Sequence, residues 1–419
     1  MKTIHLLLLT LLAAALPARA DIEVNVSVKF IHDNDGPNTR PGGNIGTVAG
    51  FEQEITYGNN VLYATSRGYS LRVVEYLDIT PPSPSSATAS VTGGTTNGSA
   101  MVTCSNTAGL QTWMRVQGAG IPANTVILSF VANTSFTMSN NATATAASVA
   151  VSGSFPGDHW FNVPARGARQ YIETTALGVQ TVWRWNPNAI NFYVNNSSSG
   201  QCSFVGNGGA ISLGGTVGIG TVLHEIGHFF NLFHTHGGDY ADNPNPPANT
   251  PPGAFTAAHL QDGDGLAETA NDNPNITSQD QLSIALYGVP YNQPAAPPGA
   301  LFATPAQRAV VDSAFQNLMS YHTEAVLLPD QMDKWTLNAN GGRLPFCTGR
   351  TWFLANEGND AASGASATQP LATVTSGFAH TSSANDVVLL RAGIYGAPAT
   401  QITTPCTLHA TRGPVTLTR

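Results

Sequence analysis

Val24, Val26, Val28 and Phe30 alternate with polar residues, the two-residue period of a half-buried β-strand. Residues 51–64 follow with helical spacing, and Leu71, Val73, Val74 and Tyr76 read as a second strand. Asp78 then leads into Pro81, Pro82, Ser83 and Pro84, which interrupt both periods and mark a boundary. Over 86–153 the chain turns to Thr, Ser, Ala, Val and Asn. Turn signals at Gly93-Gly94, Asn97-Gly98 and 118–122, with short strands at 100–103, 125–129 and 148–151, predict a small all-β module. The first pattern resumes at Asp158. Residues 171–175 read as the end of a helix, 189–194 as a strand, 210–213 as a short strand between glycines, and 221–233 as a helix. A polar, Pro-rich loop is expected over 237–252, then helices over 307–315 and 329–337, with Pro345 closing the region. The tail reads as short strands at 352–354, 387–390, 407–410 and 415–418.

The fold class this implies is α/β (α+β), interrupted by an all-β module and followed by a β-rich segment. The expected boundaries are a leader at 1–20, a discontinuous domain over 21–82 and 155–345, the module at 83–154, and the tail at 350–419. A length of 419 suits two or three domains, each large enough to bury a core.

The leader changes where the protein is expected to work. Lys2, an apolar run over 6–15 and Ala18-Arg19-Ala20 make a secretory signal, so the product is expected outside the cytoplasm. No later segment reaches the roughly 18 apolar residues that a membrane span needs. The net charge of −8 becomes more negative once Lys2 and Arg19 are removed, which argues against nucleic acid or anionic membrane as partner. Only 10% of residues are charged, so neutral polar side chains cover the surface. Cys104, Cys202, Cys347 and Cys406 are too scattered for a zinc knuckle, and they allow three disulfide pairings among which the sequence does not choose.

The chemistry is concentrated in residues 224–234, which read His-Glu-Ile-Gly-His-Phe-Phe-Asn-Leu-Phe-His. His224 and His228 are four apart, so on a helix both imidazoles leave one face and can reach one Zn²⁺. Glu225 points at a different angle, where it can take a proton from water as general base. A catalytic zinc needs a third protein ligand and one open position. His234 supplies it in the pattern H-E-x-x-H-x-x-N-x-x-H. A lone H-E-x-x-H arises by chance, whereas core histidines in this longer pattern would bury four polar side chains on one helix without compensation. His236 is the competing third ligand, expected instead at the rim of the cleft, and Glu268 would be the third ligand in a gluzincin-like site.

This pattern resembles the metzincin metallopeptidases, and among them the pappalysin family, with Asn231 where that family has glycine. Asn tolerates the left-handed conformation in which such a helix ends, so the departure is mild. The resemblance continues through Gly263-Asp264-Gly265-Leu266-Ala267-Glu268-Thr269 and through Asn317-Leu318-Met319-Ser320-Tyr321, which is similar to the family's Met-turn. It covers residues 22 to about 344, omitting the module. It implies a metzincin-like catalytic domain, an endopeptidase acting on proteins or peptides, with Met319 as a floor under the zinc ligands and Tyr321 as donor to the oxyanion. It further implies that Ala210, Ile211, Ser212 and Leu213 form the edge strand along which substrate lies. Asp262, Asp264 and Glu268 are candidate calcium ligands, though not in EF-hand spacing. No pro-segment is expected, since strand pattern follows the leader almost directly.

The module resembles a Thr-rich β repeat of bacterial surface and phage-tail-like proteins, through Gly98-Ser99-Ala100, Ala108-Gly109-Leu110, Val116-Gln117-Gly118 and Gly120-Ile121-Pro122. The tail resembles the opening of right-handed parallel β-helix proteins, through Asn359-Asp360, Ser363-Gly364, 369–373 and 391–395. The rival functional reading follows from these segments: a surface adhesion protein that binds glycan or a surface partner, with a secondary protease domain.

Overall fold

Strand β1 (Ile22–Ile31) is the spine of the main sheet, because Val24, Val26, Val28 and Phe30 are all fully buried on one face. The structure is a computed structural model describing residues 22–34, 39–202, 208–236, 256–292, 301–322, 325–397 and 402–418. The expected leader and the Pro-rich loop over 237–252 lie outside the described residues. Helix α1 (Val48–Ala64) is capped by Thr47, whose side chain accepts from Gly50 N at 3.1 Å, and it returns the chain to β2 (Tyr69–Ile79), parallel to β1. This is a β-α-β unit, in which a helix covers the sheet and lets parallel strands become neighbours.

The module follows as β3 (Thr88–Thr95), β4 (Met101–Thr103), β5 (Arg115–Gln117), β6 (Ile127–Val131), β7 (Ser135–Met138) and β8 (Ala146–Ser154). These six strands form an antiparallel sheet in the order β5-β8-β3-β4-β7-β6 around a separate core that includes Val102, Met114, Val116 and Phe136. Thr88 pairs with Ser154 and Ser83 Oγ donates to Phe155 O at 2.7 Å, so both ends of the insertion meet at one neck.

Helices α2 (His159–Asn162), α3 (Ala165–Gly178) and α4 (Gln180–Trp183) then lead to β9 (Ile190–Ser198), β10 (Gly200–Cys202) and β11 (Ala210–Thr216). The main sheet has the order β10-β11-β9-β1-β2, all parallel except β10. Here the edge-strand expectation is corrected. Ala210, Ile211, Ser212 and Leu213 do form a strand, but Gly200, Gln201 and Cys202 pair with Leu213, Ser212 and Ile211, and β10 is the edge.

Helix α5 (Thr221–Phe229) packs Val222, Leu223, Ile226 and Phe229 onto the sheet core. It is shorter than the helix expected over 221–233, because Asn231 adopts a left-handed conformation with φ 68° and reverses the chain. Helices α6 (Gln279–Tyr287), α7 (Pro305–Phe315) and α8 (Pro329–Asn340) complete this region. The tail holds β12 (Thr351–Leu354), α9 (Val374–His380), β13 (Val387–Gly396) and β14 (Thr407–Thr418), three parallel strands in that order. The two strands expected over 407–410 and 415–418 are one continuous strand. The chain is thus mixed α/β with several sheets. All four cysteines are free thiols, and among the described residues no helix is long and apolar enough to cross a membrane.

Candidate metal centre

Helix α5 is held at both ends by side chains of the sign its dipole favours. At its start, the Glu54 carboxylate of α1 accepts from Gly220 N at 2.9 Å, and burial pushes its pKa up despite that bond. At its end, the buried Arg343 donates to Phe229 O at 2.9 Å and lies over the Phe229 ring. These contacts also satisfy backbone groups that a helix end leaves open.

The helix sets His224 and His228 one turn apart, with ring centroids 4.7 Å apart and planes at 88°. Each ring is oriented by a carbonyl. His224 Nδ1 lies 2.7 Å from Leu318 O, and His228 Nδ1 lies 2.7 Å from Leu232 O, in the turn that ends the helix. A carbonyl oxygen only accepts, so both rings carry their proton on Nδ1 and a lone pair on Nε2. The left-handed Asn231 then swings the chain back, and His234 Nε2 comes within 3.2 Å of His224 Nε2 and 2.9 Å of His228 Nε2.

Two lone pairs face the same atom, and a proton on His234 Nε2 could satisfy only one of them. A cation satisfies all three. Tetrahedral ligands roughly 2.0–2.1 Å from a zinc ion stand about 3.3 Å from one another, close to the separations seen here. Burial, followed by the charge of neighbouring His224, holds His228 down at about 3, so its imidazole is neutral over the working range, as a ligand must be. The three ligand atoms all lie within 4.8 Å of one another, and among the described residues no other group of three His, Cys, Asp or Glu side chains converges in this way. The residues present fit a metal ion.

Beneath the cluster, Met319 is fully buried, and its Sδ would stand 2.6 Å from a Cβ at Gly227, so the helix needs glycine between the two ligands there. The Met319 segment is pinned by a reciprocal amide pair, Asn317 with Gln331 of α8 at 3.0 Å in both directions, while Asn317 Oδ1 also accepts from Met319 N. Tyr321 sets its ring edge against His234 with centroids 4.7 Å apart. Glu225 is buried beside the edge strand. The Cys202 thiol is hydrogen-bonded to its carboxylate, and a Cβ at Gly200 would lie 3.1 Å from Glu225 Oε1. Burial first, and then Glu225, push the Cys202 thiol well up, so it stays a neutral donor.

Three expectations are corrected. His236 does not lie at the rim of a cleft: it is fully buried, its ring stacked on His234 at 4.8 Å and packed against Tyr321. Glu268 is not a third ligand, because its oxygens accept from Asp330 N at 3.0 Å and from Arg412 at 2.8 Å. Nor do Asp262, Asp264 and Glu268 form a calcium cluster. Asp262 closes a turn by accepting from Gly265 N, and Asp264 accepts from Leu266 N, Thr269 Oγ1 and Gln331 Nε2. That segment braces the turn instead, through Gly263 N donating to Thr235 O and Thr235 N to Met319 O. Sequence reasoning missed Glu54, Arg343, Gln331 and the pair Asp272 with His322, which meet at 3.0 Å. Each acts across long sequence separations and leaves no local pattern.

Fold and site together define a mixed α/β protein with a three-histidine cluster whose geometry could hold a metal ion. Comparison with known protein families, curated proteins and solved structures finds no match.

Proposed function

We propose that this chain is a secreted, zinc-dependent endopeptidase of the metzincin type, similar to the pappalysins. The observation that carries the reading is the convergence of three Nε2 atoms, two of them on the helix that also carries the buried Glu225 carboxylate. His224, His228 and His234 would hold a zinc ion, which when bound would supply Lewis acidity, lowering the pKa of water and polarising a carbonyl. Glu225 takes the proton from the attacking water and passes it to the leaving amine nitrogen. Tyr321, packed on His234, donates its phenol to the carbonyl oxygen as that atom gains charge. A peptide substrate adds as a strand to the outer edge of β10, which runs past Glu225, so β10 takes the role first expected of β11.

The test is Glu225→Gln. The variant should fold and keep its metal while losing hydrolysis of a protein substrate by at least about a hundredfold, the scale of lost general-base catalysis. Retention of more than a few per cent of activity would sink the proposal. An adhesin, by contrast, would bind its target equally well with either residue.

A further inference from the structure

The main sheet carries a second polar cluster on the face opposite Val26, Val28 and Phe30. Ser27 on β1 pairs in register with Glu75 on β2 and with Asn191 on β9, so one row across three strands reads carboxylate, hydroxyl, carboxamide. Lys29, two residues along β1, projects from the same face and bends back onto this row. Its Nζ is hydrogen-bonded to Ser27 Oγ and stands 2.6 Å from Asn191 Oδ1, while Glu75 Oε1 is 4.0 Å away. Ser27 Oγ donates to Glu75 Oε1 at 2.5 Å. The amine, the hydroxyl and the carboxamide are all fully buried.

Burial of an ammonium this far from its counter-ion disfavours the charged form. Desolvation lowers Lys29 to about 7 even though Glu75 works in the opposite direction, so much of the amine is unprotonated near neutrality and can act as a nucleophile. The carboxamide is held for attack. Asn191 Nδ2 donates to the carbonyls of Asn186 and Ala189, both at 2.9 Å, and Oδ1 accepts from Asn186 N at 2.8 Å, a donor placed where negative charge would build up. Nζ need only slide from Oδ1 to the carbon bonded to it.

We propose that Lys29 and Asn191 become joined by an intramolecular isopeptide bond between Nζ and Cγ. The ammonium first releases a proton through Ser27 Oγ to Glu75, and the neutral amine attacks Asn191 Cγ. The nitrogen then loses a second proton, the side-chain amide nitrogen takes one up, and the Cγ–Nδ2 bond breaks. Amine and carboxamide thus become a secondary amide and ammonia, with no change of oxidation state and no co-reactant. Glu75 and Asn186 also line a cavity of about 570 Å³, which gives ammonia and protons a way out. The product would tie β1 to β9 across 162 residues of chain.

The experiment is a tryptic peptide map by mass spectrometry of the full-length protein, with Glu75→Gln and Ser27→Ala alongside. The wild type should yield a branched peptide joining the Lys29 and Asn191 segments, lighter by one ammonia than the two linear peptides and uncleaved after Lys29. Each variant should cut its yield at least tenfold. Linear Lys29 and Asn191 peptides at full mass in the wild type would overturn the bond, whatever the variants do. A branched peptide at undiminished yield in both variants would overturn the relay through Ser27 and Glu75.

Discussion

His159 is buried among Phe155, Trp160 and Tyr171, and neither ring nitrogen has a hydrogen-bond partner among the described residues. Burial, aided by Arg115, lowers its pKa to about 3 from the usual 6.5. Between those values the unfolded chain holds a proton that the folded chain refuses. Stability is therefore intact above pH 6.5 and falls as pH drops toward 3, by about 5 kcal/mol at the limit. Replacing His159 with Phe, which preserves an aromatic ring, should flatten that part of the stability profile, as read from denaturant midpoints across the interval. An unchanged slope would show that other groups dominate acid unfolding. The two histidines of α5 illustrate the opposite solution at the same scale: His224 and His228 are also buried, but a carbonyl takes each Nδ1 and each Nε2 faces His234 Nε2.

At the scale of elements, β10 is three residues long and yet determines what Glu225 faces. A side chain at Gly200 would strike Leu213 Cδ2 at 2.4 Å and crowd Glu225 Oε1 at 3.1 Å. Gly200→Val should therefore cut kcat at least tenfold while leaving the zinc content unchanged, since no ligand histidine is touched. Loss of zinc together with activity would instead mean that the whole site had shifted. Elements with a strong period were legible in the sequence: β1, α1 and α8 fall where the spacing of Val24, Phe51 and Trp335 puts them. The helical period placed the start of α5 but ran it on to Phe233, past the reversal at Asn231, whose side chain tolerates positive φ. Helix α6 was missed, although Ser278 and Gln281 form a capping box and Gly288 ends it left-handed, because Leu282, Ile284, Ala285, Leu286 and Tyr287 form a short apolar run with a weak helical period. Strand β10 was illegible for a different reason. Gly200-Gln201-Cys202 has no period of its own and is a strand only because β11 offers a pairing edge.

For the whole molecule, the module and the tail attach in different ways. The module joins at one neck, with Trp113 stacked on Tyr171 at 5.0 Å and Arg115 paired with Asp158 at 2.8 Å. Deleting 86–153 and joining the ends by a short linker should leave a folded protein that still cleaves small peptides but melts at lower temperature, because Trp160 and Tyr171 lose cover. Circular dichroism melts and a peptide assay check this, and failure to fold would make the module part of the catalytic core. The tail is tied in more closely: Val387 enters the main core, and Arg412 reaches Glu268, Asp330 and Asp333. That docking explains why the acidic segment read as a calcium site is neutralised by arginine. The proposed activity rests on His224, His228 and His234. Zinc content measured by native mass spectrometry on dialysed wild type, His234→Ala and His236→Ala tests it most directly. A single zinc per chain is expected in the wild type and in His236→Ala, with loss of zinc from His234→Ala, while a zinc-free wild type, or zinc kept by His234→Ala and lost from His236→Ala, would contradict a three-histidine zinc site.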